Sequence, residues 1–267
     1  MTREADLGLR VVHDVEQLTP DVGPLFVVIG VFDGLHLGHI YLLRHLVSEA
    51  AARHAAPTVI TFDHHPDEVL TGKAPPLLLD PRERLDRLAA AGVRVTVVQP
   101  FDEALRQTPY DAFVERIRAR IDLRGFLMTP DAAFGYERRG TPETLAELGG
   151  RLGFDVVVVP PFSLAGRAVR SSEIRSEIAT GNLAAAAELL GRPISLTGVV
   201  ADEGPDGVGL EFELPLALPP AGEYAGTVDG QPCRLRIDRG IVYLRADVAM
   251  GALVTVQVTG EVRAPVG

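Results

Sequence analysis

A parallel α/β sheet followed by a smaller all-β module is the fold class that the sequence predicts. Three observations predict it. Apolar strand-like runs alternate with helix-period segments through roughly the first 190 residues, the pattern of strands joined by crossover helices. The run Leu25–Phe32 is apolar on both faces, as a central strand covered by helices on each side should be. From Ile194 onward the period changes to short β-type runs separated by Gly, Pro and Asp.

After the first strand, His39–Arg53 reads as a helix with Leu42, Leu43, Leu46, Val47 and Ala50 on one face. Pro57–Phe62 is the next strand. Asp80–Ala91 is a helix with Pro81 in its first turn and Gly92 just past its end, the expected asymmetry of the two residues. Val93–Val98 is a strand, Tyr110–Ile121 a helix and Phe126–Met128 a short strand. Thr141–Leu152 opens with a Thr cap, Pro and Glu, and Phe154–Val159 closes the series as a strand. Ser171–Thr180 and Leu183–Leu190 are two short helices, and Gly191-Arg192-Pro193 reads as a linker. The β-type runs beyond it are Leu196–Val200, Leu210–Leu214, Tyr224–Val228, Pro232–Ile237, Ile241–Leu244 and Ala252–Val258, enough for a small barrel or sandwich.

Composition excludes several classes of function. The chain has 267 residues, 46% hydrophobic and 23% charged, which supports a sizeable core in one large domain or two unequal ones. Met1–Leu18 carries no basic start followed by an apolar run, so no secretory signal is expected, and the apolar runs are too short to span a bilayer. The one cysteine, Cys233, fits a reducing, cytoplasmic setting. A net charge of −10 argues against a nucleic-acid surface, so any anionic substrate must be held by a local cluster of donors. Lys73 is the only lysine, which eliminates the Lys-centred phosphate loop and a Schiff base elsewhere. A homo-oligomer stays open.

The strongest chemical signal is Gly30-Val31-Phe32-Asp33-Gly34-Leu35-His36-Leu37-Gly38-His39, at a strand exit where open α/β sheets bind ligands. Glycines 30, 34 and 38 let backbone approach phosphate oxygens, and amides at the start of the following helix are donors aimed at an anion. His36 and His39 lie three apart, so on a helical first turn they would share a face and hydrogen-bond a triphosphate. Two histidines beside a turn are by themselves more often satisfied surface or core residues; the glycines and the strand-to-helix context favour the functional reading. No third ligand of suitable spacing follows on the helix, so a metal pair is disfavoured.

These residues closely resemble the adenylyltransferase module of the prokaryotic bifunctional riboflavin kinase/FAD synthetases, whose motif is Gly-x-Phe-Asp-Gly-x-His-x-Gly-His. Thr61-Phe62-Asp63-His64-His65-Pro66 is similar to the family's Thr-Phe-Glu-Pro-His-Pro, and Val169-Arg170-Ser171-Ser172-Glu173-Ile174-Arg175 to its Ile-Ser-Ser-Thr-x-Ile-Arg. The order and spacing of Pro76–Leu88, Gly92–Glu103 and Phe113-Val114 also follow the family. The resemblance covers about residues 10–193 and implies a Rossmann-like nucleotidyltransferase sheet in a domain 1–191, with a barrel-like domain 192–267. It implies transfer of AMP from ATP to FMN, giving FAD and pyrophosphate, with Mg²⁺ carried by ATP and no protein metal site. His36 and His39 would steady the transition state. Gly30, Phe32, Asp33 and Gly38 would cradle ATP, with Ser171, Ser172 and Arg175 closing on its phosphates. Phe62, His65, Pro66, Asp131 and Phe134 would contact flavin.

The sequence departs from the family in two places. In Asp131-Ala132-Ala133-Phe134-Gly135, set against Gly-x-Asp/Asn-Phe-x-Phe-Gly, Thr129 replaces the first Gly and Ala132 the first Phe, which removes an aromatic face from the flavin site. The residues alone therefore leave open another phosphorylated acceptor, CTP as donor, or a non-catalytic flavin or nucleotide-binding protein. In the C-terminal module, Gly209-Leu210-Glu211-Phe212-Glu213-Leu214 holds neither the Thr nor the Asn of the family's Gly-x-Pro-Thr-Ala-Asn. A degenerate module without kinase activity is expected.

Overall fold

The computed structural model describes residues 8–204 and 207–262; residues 1–7 of the N-terminal stretch lie outside the described residues. Packing divides the chain into two compact units. One is Met1–Phe32, Gly38–Pro75 and Leu85–Ser163; the other is Asp33–Leu37, Pro76–Arg84 and Leu164–Gly267.

In the first unit, β1 (Arg10–Val12), β2 (Leu25–Ile29), β3 (Ala56–Phe62), β4 (Val95–Gln99), β5 (Leu123–Met128) and β6 (Asp155–Val158) form one sheet in the order β1-β4-β3-β2-β5-β6. Every pairing is parallel. The chain steps from β2 to β3 and β4 on one side, then to β5 and β6 on the other. The order thus reverses between β2 and β5, the switch point at which such sheets bind ligands beyond their carboxyl ends.

The first unit's helices are α1 (Leu37–Ala52), α2 (Asp67–Thr71), the later part of α3 (Pro81–Ala90), α4 (Glu103–Arg106), α5 (Tyr110–Arg118) and α6 (Pro142–Leu152). Apolar residues at helical spacing bury Leu43, Leu46 and Ala50 of α1 and Phe113, Val114 and Ile117 of α5. The Thr141 hydroxyl accepts from the Thr144 amide while Thr144 returns the bond to the Thr141 amide, a reciprocal cap that starts α6. One core cluster joins Phe113, Val114 and Ile117 of α5 and Leu145 and Leu148 of α6 to Val27, Ile60, Val97 and Phe126.

After β6, β7 (Ser163–Leu164) and β8 (Arg167–Ala168) pair as a two-stranded sheet. The second unit contains α7 (Ser171–Ala179), α8 (Leu183–Leu190) and the strands β9 (Ile194–Gly204), β10 (Gly207–Glu211), β11 (Gly222–Val228), β12 (Gln231–Asp238), β13 (Ile241–Arg245) and β14 (Leu253–Glu261). These six strands close an antiparallel barrel in the order β10-β13-β12-β11-β14-β9. Alternate residues point inward, so Tyr224, Leu235, Val242, Leu244 and Val256 are buried, and closure leaves no open sheet edge.

The fold class is the one the sequence predicts, with local differences, among them the short helices α2 and α4. β1 was not expected; it is only three residues long. β2 ends at Ile29 rather than Phe32, because Phe32 and Leu35 take left-handed φ of 52° and 40°. Helix α1 begins at Leu37, so His36 precedes the helix instead of sharing its first turn with His39. Gly191-Arg192-Pro193 is not a loose linker: Gly191 closes α8 in the left-handed region, and Arg192 Nη2 donates to the Gly34 carbonyl at 2.7 Å.

Ile117 is fully buried in the core of the first unit. Ile117→Ala should lower unfolding free energy by about 2–5 kcal/mol in urea titration; a loss below about 1 kcal/mol would mean that α5 is not packed as described.

Candidate active site

Within the second unit, the turn Asp33–Leu37 has its acceptors taken up from inside the protein. Asp33 is 3% exposed. Its carboxylate accepts from the Leu78 amide at 2.9 and 3.1 Å and from Arg175 Nη2 at 2.6 Å. The Asp33 carbonyl accepts from the Ser171 hydroxyl at 3.1 Å, and the Gly34 carbonyl takes Arg192. In the first unit, the Thr61 hydroxyl donates to the carbonyl of Val31, earlier in the same motif, at 2.9 Å. The first amides of α1 have no intrahelical acceptor, as at any helix start.

The turn is strained as well as clamped. Phe32 and Leu35 are non-glycine residues in the left-handed region, which costs on the order of 1–3 kcal/mol each. Gly34 has φ 80°, and a Cβ there would sit 2.9 Å from Leu78 Cδ1, so both backbone and packing require glycine. Phe32 is 2% exposed, with its ring 5.1 Å from that of His39. Phe32, expected against ATP, thus lies buried beside His39.

Asp33 also differs from its expected part in the cradle. Burial pushes its carboxyl above the ordinary value, against the opposing pull of Arg175 and the Leu78 amide. Arg175 and the Leu78 amide engage its carboxylate within the turn. Arg175 is correspondingly engaged: besides Asp33, its Nε donates to the Pro76 carbonyl at 2.8 Å. Ser172 is exposed, while Gly30, Gly38 and His39 are half-buried.

His36 is 5% exposed, and burial, reinforced by the charge of Arg192, lowers its pKa from 6.5 to about 4. At neutral pH it is a neutral imidazole, able to donate one hydrogen bond but carrying no positive charge.

The first unit holds an apolar cavity of roughly 760 Å³, within the range of sites for drug-sized ligands. Its lining includes Gly30 and Val31, the first residues of the motif, and four of the residues expected at a flavin: Phe62, His65, Pro66 and Phe134. Asp131 is not among its lining residues; its carboxylate accepts from the Thr129 hydroxyl at 2.8 Å. Phe134 packs its ring 5.9 Å from Phe126 and 6.1 Å from Phe113. Phe101, to which the sequence assigned no role, meets Phe62 edge-on at 5.1 Å and lines the same cavity as Ala132. Its signal was an aromatic placed just after the β4 strand end, at the carboxyl edge of the sheet. Arg192 and the Leu78 amide were also missed, because their partners are distant in sequence.

A solved structure, described as a macrolide-efflux protein from Streptococcus pneumoniae, shares this fold with a TM-score of 0.78 and 22% identity, over 96% of this chain and 90% of that one. Residues 19–173 match the FAD synthetase family. The chain is 31% identical over 224 residues to a bifunctional riboflavin kinase/FMN adenylyltransferase of Escherichia coli, covering 83% of this chain and 70% of the relative. A protein of the same name in Haemophilus influenzae is 33% identical over 174 residues, 64% of this chain and 56% of that one. The chain belongs to the FAD synthetase family.

Because the fold keeps His36 neutral, stability is unaffected above pH 6.5. Below it, the unfolded chain takes up a proton that the fold refuses, so stability falls as pH drops from 6.5 towards 4, on the order of 3 kcal/mol from this residue. Denaturant titrations of wild type and His36→Gln across that window should show a steeper acid loss in wild type; parallel curves would contradict a buried neutral imidazole.

Proposed function

We propose that the chain is an FMN adenylyltransferase. A phosphate oxygen of FMN attacks the α-phosphorus of ATP in line; the bond from that phosphorus to the α,β-bridging oxygen breaks, giving FAD and pyrophosphate. The observation that carries this reading is the motif Gly30–His39 at a strand-to-helix junction, where acceptors of Val31, Asp33 and Gly34 are engaged internally and the start of α1 directs its amides at an anion. Charge stabilisation and positioning do most of the work in such transfers.

In this reading Gly34, Gly38 and the amides around them cradle the phosphates. The single N–H of neutral His36, hydrogen-bonded to backbone in the absence of nucleotide, turns to a phosphate oxygen when ATP binds, and His39, beside Phe32, stabilises charge as it builds on the leaving group. Arg175 keeps Asp33 with Nη2 and Pro76 with Nε, so its Nη1 is the nitrogen assigned to a phosphate. Ser172, exposed beside Ser171, is a further donor. The flavin ring lies between Phe62, Phe101 and Phe134, with His65 and Pro66 in the wall. Imidazoles, amides and a guanidinium suit anionic oxygens rather than a cation, so Mg²⁺ is assigned to the phosphates of ATP, where it would neutralise the departing pyrophosphate.

The transferase chemistry is assigned to 1–191 and the barrel to 192–267, whose stretch Gly209–Leu214 supplies neither Thr nor Asn for a kinase site. ATP consumption and a single reduced Cys233 support a cytoplasmic setting; no described helix is long and apolar enough to cross a membrane.

Chromatography of reactions containing Mg·ATP with FMN or with riboflavin tests the proposal. FAD should form from FMN, and riboflavin should remain unchanged. FMN made from riboflavin would overturn the lost kinase, and no FAD from FMN would overturn the transferase. His36→Ala should lower turnover on the order of 100-fold with FMN affinity changed less than about twofold; equal losses of both would assign His36 to folding.

A further inference from the structure

The segment Pro76–Arg84 ties the barrel to the turn Asp33–Leu37, all inside the second unit. At its start, the Pro76 carbonyl accepts from Arg175 and the Leu78 amide donates to the Asp33 carboxylate. Between them, the Leu77 amide donates to the Pro215 carbonyl at 2.8 Å, and the Ala217 amide returns a bond to the Leu77 carbonyl at 2.7 Å. Leu77 and Leu216 thus form a parallel bridge. At its end stands Glu83, 8% exposed, on the first turn of α3. One of its carboxylate oxygens accepts from the Ser195 hydroxyl and the other from the Thr197 hydroxyl, each at 2.8 Å. Both hydroxyls belong to β9, and Thr197 also meets Thr255 of β14 at 2.9 Å. The neighbouring Arg84 is buried and adds its charge beside Asp33.

Burying a carboxylate in an apolar setting is costly unless its oxygens are hydrogen-bonded. Two hydroxyls from one barrel strand satisfy this one and fix α3 in a single register. That register sets where the Leu78 amide stands, and therefore where Asp33 and the turn are held. We propose that the barrel serves as a buttress for the phosphate grip, with Glu83 a positioning residue that acts through the strap 76–84 upon Asp33. A barrel without kinase residues then keeps a reason to close: it is the frame against which the transferase's nucleotide turn is braced. The inference rests on the reading of Asp33–Leu37 as part of that grip.

The test is equilibrium binding of α,β-methylene-ATP and, separately, of FMN to the full chain. Glu83→Ala should weaken the ATP analogue tenfold or more, leave FMN affinity within twofold, and raise KM for ATP more than it lowers kcat. Glu83→Gln retains a carbonyl acceptor and should recover most of the loss. Arg82→Ala removes an exposed pair with Glu213 (2.9 Å) that spans the same segments, and should change neither affinity beyond twofold. Should Glu83→Ala not fold, Ser195→Ala, which removes one bond only, should give the same selective loss of two- to fivefold. A folded Glu83→Ala or Ser195→Ala with wild-type affinity for the ATP analogue overturns the buttress, as does an equal loss of FMN and ATP affinity. Failure of the wild type itself to bind the ATP analogue would instead overturn the phosphate grip, and the buttress with it.

Discussion

The Asp33 carboxylate, almost wholly buried, is the constraint around which the nucleotide turn is arranged. Its oxygens hold an amide of the 76–84 strap and the guanidinium of α7. Burial raises its pKa despite these partners, so the pair adds little to net stability and removing either member would leave an uncompensated group. What the pair supplies is geometry. The backbone carbonyls of residues 33 and 34 are capped from α7 and from the end of α8, and the left-handed Phe32 and Leu35 are held in place by packing on every side. Strain concentrated at one turn, and restrained there by long-range bonds, is what a preorganised anion site requires.

The turn and the cavity differ in chemistry. The turn is polar, rich in donors and narrow in what it accepts. The cavity of the first unit is apolar and aromatic, suited to a large flat ring. A chain with a net charge of −10 has no general attraction for nucleotides, so the ATP affinity we propose rests on this local arrangement of amides, imidazoles and Arg175. The neutral state of His36 belongs to the same design: a buried imidazolium would be costly to maintain, whereas a neutral ring still donates its hydrogen bond.

Much of this was legible from residues alone, for physical reasons. Strands such as β2 and β3 announce themselves because parallel sheets bury both faces, and α1, α5 and α6 because amphipathic spacing and caps are local properties. The motif Gly30–His39 was legible because glycine spacing is local too. What escaped was set by distance. Asp33 meets Arg175 across 142 positions and Gly34 meets Arg192 across 158, so neither pairing could be inferred before the chain was folded. Phe and Leu disfavour a left-handed backbone, so nothing in Phe32 or Leu35 foretold that β2 would stop at Ile29. Glu83 carries no local signal either, because its partners Ser195 and Thr197 lie 112 and 114 positions away.

The central claim is that internally satisfied acceptors turn one glycine-bearing loop into a receptor for a triphosphate. A crystal structure of the chain with α,β-methylene-ATP tests it most directly. The account predicts phosphate oxygens within hydrogen-bond distance of amides in the stretch 34–39 and of the His36 and His39 rings, with the Asp33–Arg175 pair intact. A triphosphate bound elsewhere, with both rings turned into apolar packing, would contradict it.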